Sequence, residues 1–340
     1  TCKDRVLMEE DPHQLLEGIL IGGLAVDSHK GYIYTRGEYR YLIDIMDRAI
    51  EEAYSRGYLG KNILGTGFDF DMYTHTGAGA YECGEETALL DSIEGKRGVP
   101  RLKPPFPAVS GAWQSPTVLN NVETFCSIPV IIRDGGAAFA ALGTPKNGGT
   151  RLFCLSGHIN KPGVYELPMG FNLLRMIEEV GGGMRNGKKL KAVIPGGSSC
   201  PVMKADECDV AMDYDSVAKI GSMLGSGGVV VMDEDTCMVR AMQRIMKFYQ
   251  HESCGWCIPC REGTTWLKKL LDRFHGGGGM KGDIDLMYDV SKSILGRSFC
   301  ALGDAAAMPM MSFVEKFRPE FEAHLGGSCP FEHKHEMALV

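Results

Sequence analysis

Three cysteines recur every third residue in "HESCGWCIPCREGTTW", residues 251 to 266: Cys254, Cys257 and Cys260. Thiolates so closely spaced on one loop hold metal. A zinc ion bound by four cysteines usually takes two well-separated Cys-x-x-Cys knuckles, so that two pairs grip one tetrahedral centre, and the second knuckle is missing here. The C-x2-C-x2-C spacing instead suits a cubane cluster, in which each sulfur meets a different iron corner and a distant cysteine takes the fourth. The best fourth ligand is Cys300 in "GRSFCALGDAA", on a loop before a helix in the same helical region. Cys329 in "GGSCPF" is the fallback. Cys83, Cys126, Cys154, Cys208 and Cys237 lie among apolar or small residues and read as small buried hydrophobes.

A second constellation is "HTGAGAYECGEETALLDSIEGKRGVPRLKPPFPA", residues 75 to 108. Gly77 and Gly79 permit close backbone approach, and Gly84 leads into Glu85 and Glu86 at the start of a helix carrying Ala88, Leu89 and Ile93. The pattern departs from the dinucleotide fingerprint GxGxxG. Acids in a first helical turn are favoured by the macrodipole alone, while an acid beside a Gly-rich turn can also bind ribose hydroxyls. Both readings stay open on the residues. Phe106, after two prolines, is either core or an exposed stacking face.

The elements that must position these groups alternate in type. "GYIYTRG" and "FDFDMYTH" read as half-buried strands, and "EYRYLIDIMDRAIEEAYSRGYLG" as a helix with Tyr41, Ile45, Met46, Ala49 and Ile50 on one face. From about residue 143, "GTPKNGGT" is a Gly/Pro-rich linker. Strands in "TRLFCLSGHI" and "GVYELP", a helix in "NLLRMIEEVGGGM" and a strand in "LKAVIPGG" then suggest a small β-grasp-like unit. From Asp235 the period is helical. Met238, Met242, Ile245, Met246 and Tyr249 form a stripe, with Asp235 or Thr236 placed to cap its start. Further helices are expected at Thr264 to Phe274, Ile284 to Leu295 and Ala305 to Phe317, and a helical bundle would bury all four stripes.

The bulk properties exclude several classes. A chain of 340 residues, 44% hydrophobic and 23% charged, is ordinary for a globular protein of two or three domains. A net charge of -7 without a basic stripe argues against nucleic acid as the partner. The absence of a long apolar run or a leader pattern leads us to expect no span and no secretory signal, with any membrane association made through partners. Twelve cysteines in a chain of this length fit a reducing cytoplasm better than a disulfide framework.

With both constellations in hand, the chain resembles the NADH-binding flavoprotein subunit, the F subunit, of respiratory NADH:quinone oxidoreductase, complex I. The motifs that carry the resemblance are "KDRVLMEEDPH", "GAGAYECGEETALLDSIEGKRGVPRLKPPFPA", "NNVETF", "PGVYELPMG", "IPGGSS", "GSMLGSGGVVVMDE", "ESCGWCIPCREGT" and "GRSFCALGDAA", in family order along the whole chain. The resemblance implies a multidomain α/β protein. Residues 1–142 would form a Rossmann-like FMN/NADH domain, 143–235 a ubiquitin-like β-grasp (SLBB) domain, and 236–340 a four-helix bundle carrying one 4Fe-4S cluster.

Carried over by position, the resemblance implies cluster ligation by Cys254, Cys257, Cys260 and Cys300. It implies FMN contacts at Tyr81, Gly84, Asn120 and Asn121, with Glu85 beside the flavin, Glu86 on the NADH ribose, Lys103 lining the cavity and Phe106 stacking on adenine. No side chain is implied as nucleophile or general base, since the cofactors carry the chemistry. Glu82 departs from the family, which usually has an aliphatic residue there. Members also open with a Gly-rich FMN-phosphate loop and an Asn-x-Asp-Glu segment, whereas this chain begins at "TCKDR". The expectation is therefore an N-terminally incomplete form that keeps its cluster but binds FMN weakly and oxidises NADH slowly or not at all. The implied partners are NADH and the neighbouring peripheral-arm subunits, a 2Fe-2S thioredoxin-like one and the large iron-sulfur one, on the cytoplasmic side of the bacterial inner membrane. Two other readings share these motifs: the diaphorase subunit of an NAD(P)-linked hydrogenase or formate dehydrogenase, and a non-catalytic cluster-bearing scaffold.

Overall fold

A computed structural model describes residues 2–327 and 329–331. The contacts divide the chain into two compact units, one formed by Cys2–Ala141 and the other by the residues from Leu142 onward. The break falls where the Gly/Pro-rich linker begins.

In the first unit, α1 (Lys3–Glu10), α2 (Pro12–Ala25), α3 (Arg40–Ser55) and α5 (Val122–Asp134) surround two strands, β1 (Lys30–Thr35) and β2 (Asp71–Thr76). The strands pair in parallel from Lys30 opposite Asp71 to Thr35 opposite Thr76. Helix α4 (Glu86–Ile93) leaves the turn after β2, and α6 (Gly136–Ala141) ends the unit. The core joins Met8, Leu15 and Leu16 to Ile33, Met46, Phe70, Met72 and Cys126. Helix α3 is amphipathic as expected, but its buried face is Leu42, Met46, Ala49, Ile50 and Ala53, at spacings of 4, 3, 1 and 3 residues. That face is rotated from the expected one. Tyr41 is exposed, and its hydroxyl donates to Glu9 instead of entering the core. Helices α2 and α5 meet so closely that a Cβ on Gly18 would lie 2.0 Å from the Phe125 carbonyl oxygen. Among the described residues the parallel sheet of this unit has two strands, so what stands here is a mixed α/β arrangement.

In the second unit a five-stranded sheet runs in the order β4 (Gly163–Pro168), β3 (Thr150–Gly157), β7 (Gly228–Asp233), β5 (Leu190–Ile194), β6 (Met203–Lys204). Strand β7 pairs in parallel with β3 and antiparallel with β5. A short helix α7 (Leu173–Arg175) widens into a π-helical turn over Met176–Val180, and α8 (Tyr214–Lys219) follows β6. Strands β6 and β7 and helix α8 go beyond the elements expected from the sequence. Side chains of β5 and β7 alternate between two cores, as a strand period of two requires. Val193, Val229 and Val231 join Phe153, Leu173 and Met176 on one face. Ala192, Ile194 and Met232 join the helical region on the other. The expected boundary at residues 235/236 is thus no break in packing, because the sheet is covered on both faces.

Four helices complete the unit: α9 (Met238–Glu252), α10 (Ile258–Arg273), α11 (Asp283–Ile294) and α12 (Ala301–Glu322). They pack on one another through Met242, Met246, Tyr249, Leu267, Leu271, Met287, Met310 and Phe313. Cys237 is the N-cap of α9, its Sγ accepting from Arg240 N at 3.4 Å, which corrects the expected cap at Asp235 or Thr236. Thr236 instead donates its hydroxyl to Asp233 at 3.1 Å. Helices α10 and α12 both start earlier than their apolar periodicity suggested. Pro259 sits in the first turn of α10, where its missing N–H costs nothing, and Cys300 is the N-cap of α12. Among the described residues no helix is long and apolar enough to cross a membrane.

Candidate functional site

The cysteine triplet straddles a helix start. Cys254 is on the loop after α9, Cys257 is the N-cap of α10, and Cys260 is buried in its first turn. Pro259 and Gly255, whose φ of 78° is left-handed, keep the chain from entering the helix earlier. Arg261 holds the loop closed by donating to the Gly255 carbonyl at 2.9 Å. Cys300 comes from 40 residues downstream in sequence, at the start of α12. The structure brings its loop to the triplet: Phe299 N donates to Cys257 Sγ at 3.4 Å, and the Phe299 and Trp256 rings lie 5.8 Å apart. Ser253 Oγ lies 3.3 Å from Cys260 Sγ. Three thiols at the N-terminal ends of two helices, with Cys254 on the loop before α10, suit a cluster whose thiolates are anionic, since both macrodipoles and the N–H to sulfur bond favour negative charge there. The donor set therefore fits a 4Fe-4S cluster. Cys329, the fallback ligand, lies elsewhere, with its Sγ 3.6 Å from that of Cys237.

In the first unit, Glu85 and Glu86 open α4 with distinct environments. Glu85 is the N-cap: Oε2 accepts from Thr87 N at 2.8 Å, Thr87 Oγ1 at 2.5 Å and Ala88 N at 2.9 Å. Burial works against its charge, but the bonds from Thr87, Ala88 and Lys103 win and hold the carboxyl below its usual range. Glu86 points away from the cap and stays 43% exposed. Lys103 Nζ bridges the two acids, at 3.1 Å from Glu85 and 2.9 Å from Glu86. The Glu86 bond chiefly raises the Lys103 ammonium above its ordinary value, burial opposes it, and Glu85 adds to it. Glu85 is thus explained by helix capping, whereas Glu86 offers carboxylate surface that the fold does not consume. Tyr81 and Phe106 are exposed aromatics, at 49% and 58%. Gly84 has open space around the position a Cβ would take.

Asn120 is exposed. Asn121 caps α5: its Oδ1 accepts from Glu123 N at 3.0 Å and Lys3 Nζ at 2.7 Å, and its Nδ2 donates to Asp4 at 2.8 Å. Lys3 is buried and paired with Asp4 and Glu123. Glu82, the departure from the family pattern, is buried at 4%. Sequence reasoning missed Thr87 and Arg101. Thr87 Oγ1 also accepts from Arg101 N at 2.8 Å, and the Arg101 guanidinium reaches Asp91, Glu94 and the Gly111 carbonyl. These bonds anchor the turn that carries Lys103 and Phe106. The one signal available was an arginine set among prolines and glycines in "KRGVPRLKPP".

Burial pushes the thiols of Cys126 and Cys208 up to about 12, as expected for small core residues without redox or ligand chemistry. Cys83 is buried as well.

Three family patterns match the chain in order: the Nuo51 FMN-binding domain over residues 1–130, an SLBB domain over 151–231, and the NADH-ubiquinone oxidoreductase-F iron-sulfur binding region over 240–324. The chain is 53% identical to the NADH-quinone oxidoreductase F subunit 2 of Rhizobium meliloti (strain 1021), over 97% of its own length and 79% of the relative's. It belongs to the F-subunit family of NADH-quinone oxidoreductases. The F subunits of Mycobacterium bovis and Rickettsia typhi are 51% and 50% identical, with 100% and 96% of this chain and 76% and 77% of theirs aligned. A solved NAD+-reducing [NiFe]-hydrogenase in the air-oxidized state superposes with a TM-score of 0.86 at 32% identity. That match covers 96% of this chain, which spans about half (54%) of the hydrogenase chain. The iron-sulfur match contains Cys254, Cys257, Cys260 and Cys300.

Proposed function

We infer that this member of the F-subunit family takes electrons from NADH and delivers them toward quinone within an NADH:quinone oxidoreductase complex. The observation that carries the reading is the meeting of the triplet with the Cys300 loop at the N-terminal ends of α10 and α12, in a chain whose first unit matches an FMN-binding pattern. FMN, when bound, accepts a hydride from NADH and releases electrons singly to the 4Fe-4S cluster.

The chain's own residues bind and orient. Cys254, Cys257, Cys260 and Cys300 hold the cluster. Tyr81, Gly84, Asn120 and Asn121 contribute to the flavin pocket, with Asn121 also fixing the start of α5. Glu85 shapes that pocket by capping α4, which aims Glu86 outward. Glu86 accepts from the NADH ribose, Lys103 holds its carboxylate in place, and Phe106 stacks on the adenine through its exposed face.

The three pattern matches support a Rossmann-like flavin and nucleotide domain, a β-grasp domain and a four-helix bundle as the finer description. The partners are NADH, the 2Fe-2S thioredoxin-like subunit and the large iron-sulfur subunit. The site of action is the cytoplasmic face of the bacterial inner membrane, where the NADH pool lies. The hydrogenase likeness makes a diaphorase subunit the second reading. Identity of 50–53% to the F subunits against 32% to the hydrogenase favours the first.

Expressed from its complete coding sequence and purified, the protein should bind FMN and oxidise NADH with ferricyanide as acceptor, preferring NADH to NADPH. If that complete protein holds its cluster but takes up neither FMN nor NADH, it is instead a cluster-bearing scaffold.

A further inference from the structure

Four side chains that take no part in cluster, flavin or nucleotide binding converge at the other end of the same helices. Cys237 caps the start of α9, His275 lies just past the end of α10, and His324 and Cys329 follow the end of α12. Ligand atoms of Cys237, His275 and Cys329 all lie within 4.8 Å of one another. His324 Nε2 lies 3.4 Å from Cys237 Sγ, and the two imidazole rings are 6.3 Å apart. Cys237 and His324 are at 1% and 0% exposure, and Cys329 is at 6%.

The two spacings at Cys237 Sγ match those around a single tetrahedral ion. With metal to sulfur bonds of about 2.3 Å and metal to nitrogen bonds of about 2.0–2.1 Å, two sulfurs on one zinc stand about 3.8 Å apart and a sulfur and a nitrogen about 3.6 Å. The Cys237 to Cys329 sulfur pair is at 3.6 Å and the Cys237 sulfur to His324 nitrogen pair at 3.4 Å. The surroundings also suit ligands. His324 Nδ1 donates to the Glu320 carbonyl at 2.7 Å, which leaves Nε2 as the lone-pair nitrogen beside the Cys237 sulfur. Each sulfur accepts a backbone N–H at 3.4 Å, Cys237 from Arg240 and Cys329 from Phe331. Cys237 additionally sits at the positive end of α9.

We propose that Cys237, His275 and Cys329 bind a structural zinc ion that fastens the segment after α12 to the ends of α9 and α10, with His324, 3.4 Å from Cys237 Sγ, turning in to take the fourth position. Zinc suits two thiolates and an imidazole, with a second imidazole beside them, in a pocket where both sulfurs are buried and His275 is partly buried. Binding replaces the two S–H bonds with Zn–S bonds and releases two protons to solvent, with no change in oxidation state. The site is separate from the cluster: α10 carries Cys257 and Cys260 at one end and leads to His275 at the other, about 24 Å away for 16 residues at about 1.5 Å each. Cys237 and Cys329 also lie outside residues 240–324, the extent of the iron-sulfur match. The proposal does not depend on NADH oxidation.

The test is metal analysis of the full chain, purified from zinc-sufficient medium and passed through a weak chelator. About one zinc per chain is expected besides the cluster iron. Cys237→Ser and Cys329→Ser should each lose the zinc while keeping the iron, which also reports that they fold, and Cys300→Ala should lose the iron while keeping the zinc. Cobalt exchanged into the wild-type site should show the visible absorption of a tetrahedral thiolate centre, absent from both serine variants. Three outcomes overturn the site: no zinc and no cobalt uptake by the wild type, a Cys237 to Cys329 disulfide in the purified protein, or zinc retained by the double serine variant.

Discussion

Replacing Glu86 with glutamine separates its two possible roles, because the structure makes its contribution to the fold small. The carboxylate is 43% exposed, and its bond is the 2.9 Å contact with Lys103, an ammonium that keeps Glu85 at 3.1 Å when Glu86 is neutralised. Exposed pairs of this kind are worth about 0–1 kcal/mol, so denaturant unfolding of Glu86→Gln should stay close to wild type. A ribose hydroxyl donating to the charged carboxylate is worth about 1.5–3 kcal/mol and to the amide oxygen of glutamine about 0.5–1.5, so the loss is about 1–1.5 kcal/mol and the dissociation constant for NADH should rise about 5- to 13-fold. Loss of the negative charge should also lessen discrimination against the 2'-phosphate of NADPH. Glu85→Ala provides the contrast. It removes the cap bonds to Thr87 and Ala88 and should destabilise the protein by about 0.5–2 kcal/mol. Calorimetric titration of both variants with NADH and NADPH, beside denaturant melts, checks the pair. If Glu86→Gln leaves the NADH constant and the NADH to NADPH ratio unchanged, Glu86 is only a helix-start acid and the nucleotide assignment fails.

Three further outcomes follow from named contacts. Cys300→Ala should lose the cluster, about four irons per chain, whereas Cys329→Ala should retain it; iron analysis of both checks the choice of fourth ligand. Gly18→Ala forces a Cβ to 2.0 Å from the Phe125 carbonyl oxygen, a backbone atom that cannot rotate away, so α2 and α5 must part at about 1–3 kcal/mol, measurable by denaturant melts. Glu94 is opposed by burial but held by Lys96, Arg101 and the Trp113 N–H, which together lower its carboxyl to about 2. A carboxyl lowered on folding stabilises the protein above its unfolded value near 4.5 and loses that contribution as pH falls toward 2. Glu94→Gln should therefore be less stable than wild type at neutral pH, with the gap closing between about pH 4.5 and 2; a gap that persists at low pH would mean that the charge is not what stabilises.

The parts of the fold that strong periodicity marks were legible in the sequence, namely the stripe of Met238, Met242, Met246 and Tyr249 and the strands β1 and β2, though not their parallel pairing, and Gly/Pro composition marked the segment where the two units part. Periodicity could not locate helix starts, which depend on capping. Cys237 and Cys300 serve as N-caps although thiols are weak acceptors that propensity rules do not select, and Arg40 opens α3 one residue before an exposed Tyr41. Strand β7 was missed because "GVVVMD" is apolar on both faces, without the alternation that flags a half-buried strand, and its side chains divide between two cores. The cysteine triplet was readable as a candidate ligand set because its spacing is local. The place of Cys329 was not, since its contact with Cys237 spans 92 residues that only the tertiary fold brings together.

The proposed function requires that electrons from NADH reach a cluster on Cys254, Cys257, Cys260 and Cys300. The most direct check is to add NADH anaerobically to the purified, FMN-loaded protein and record electron paramagnetic resonance at low temperature. The wild type should show the spectrum of a reduced 4Fe-4S cluster, produced by NADH as well as by dithionite, and Cys300→Ala should lose it. A cluster that dithionite reduces but NADH leaves oxidised, with FMN bound, would contradict this electron path.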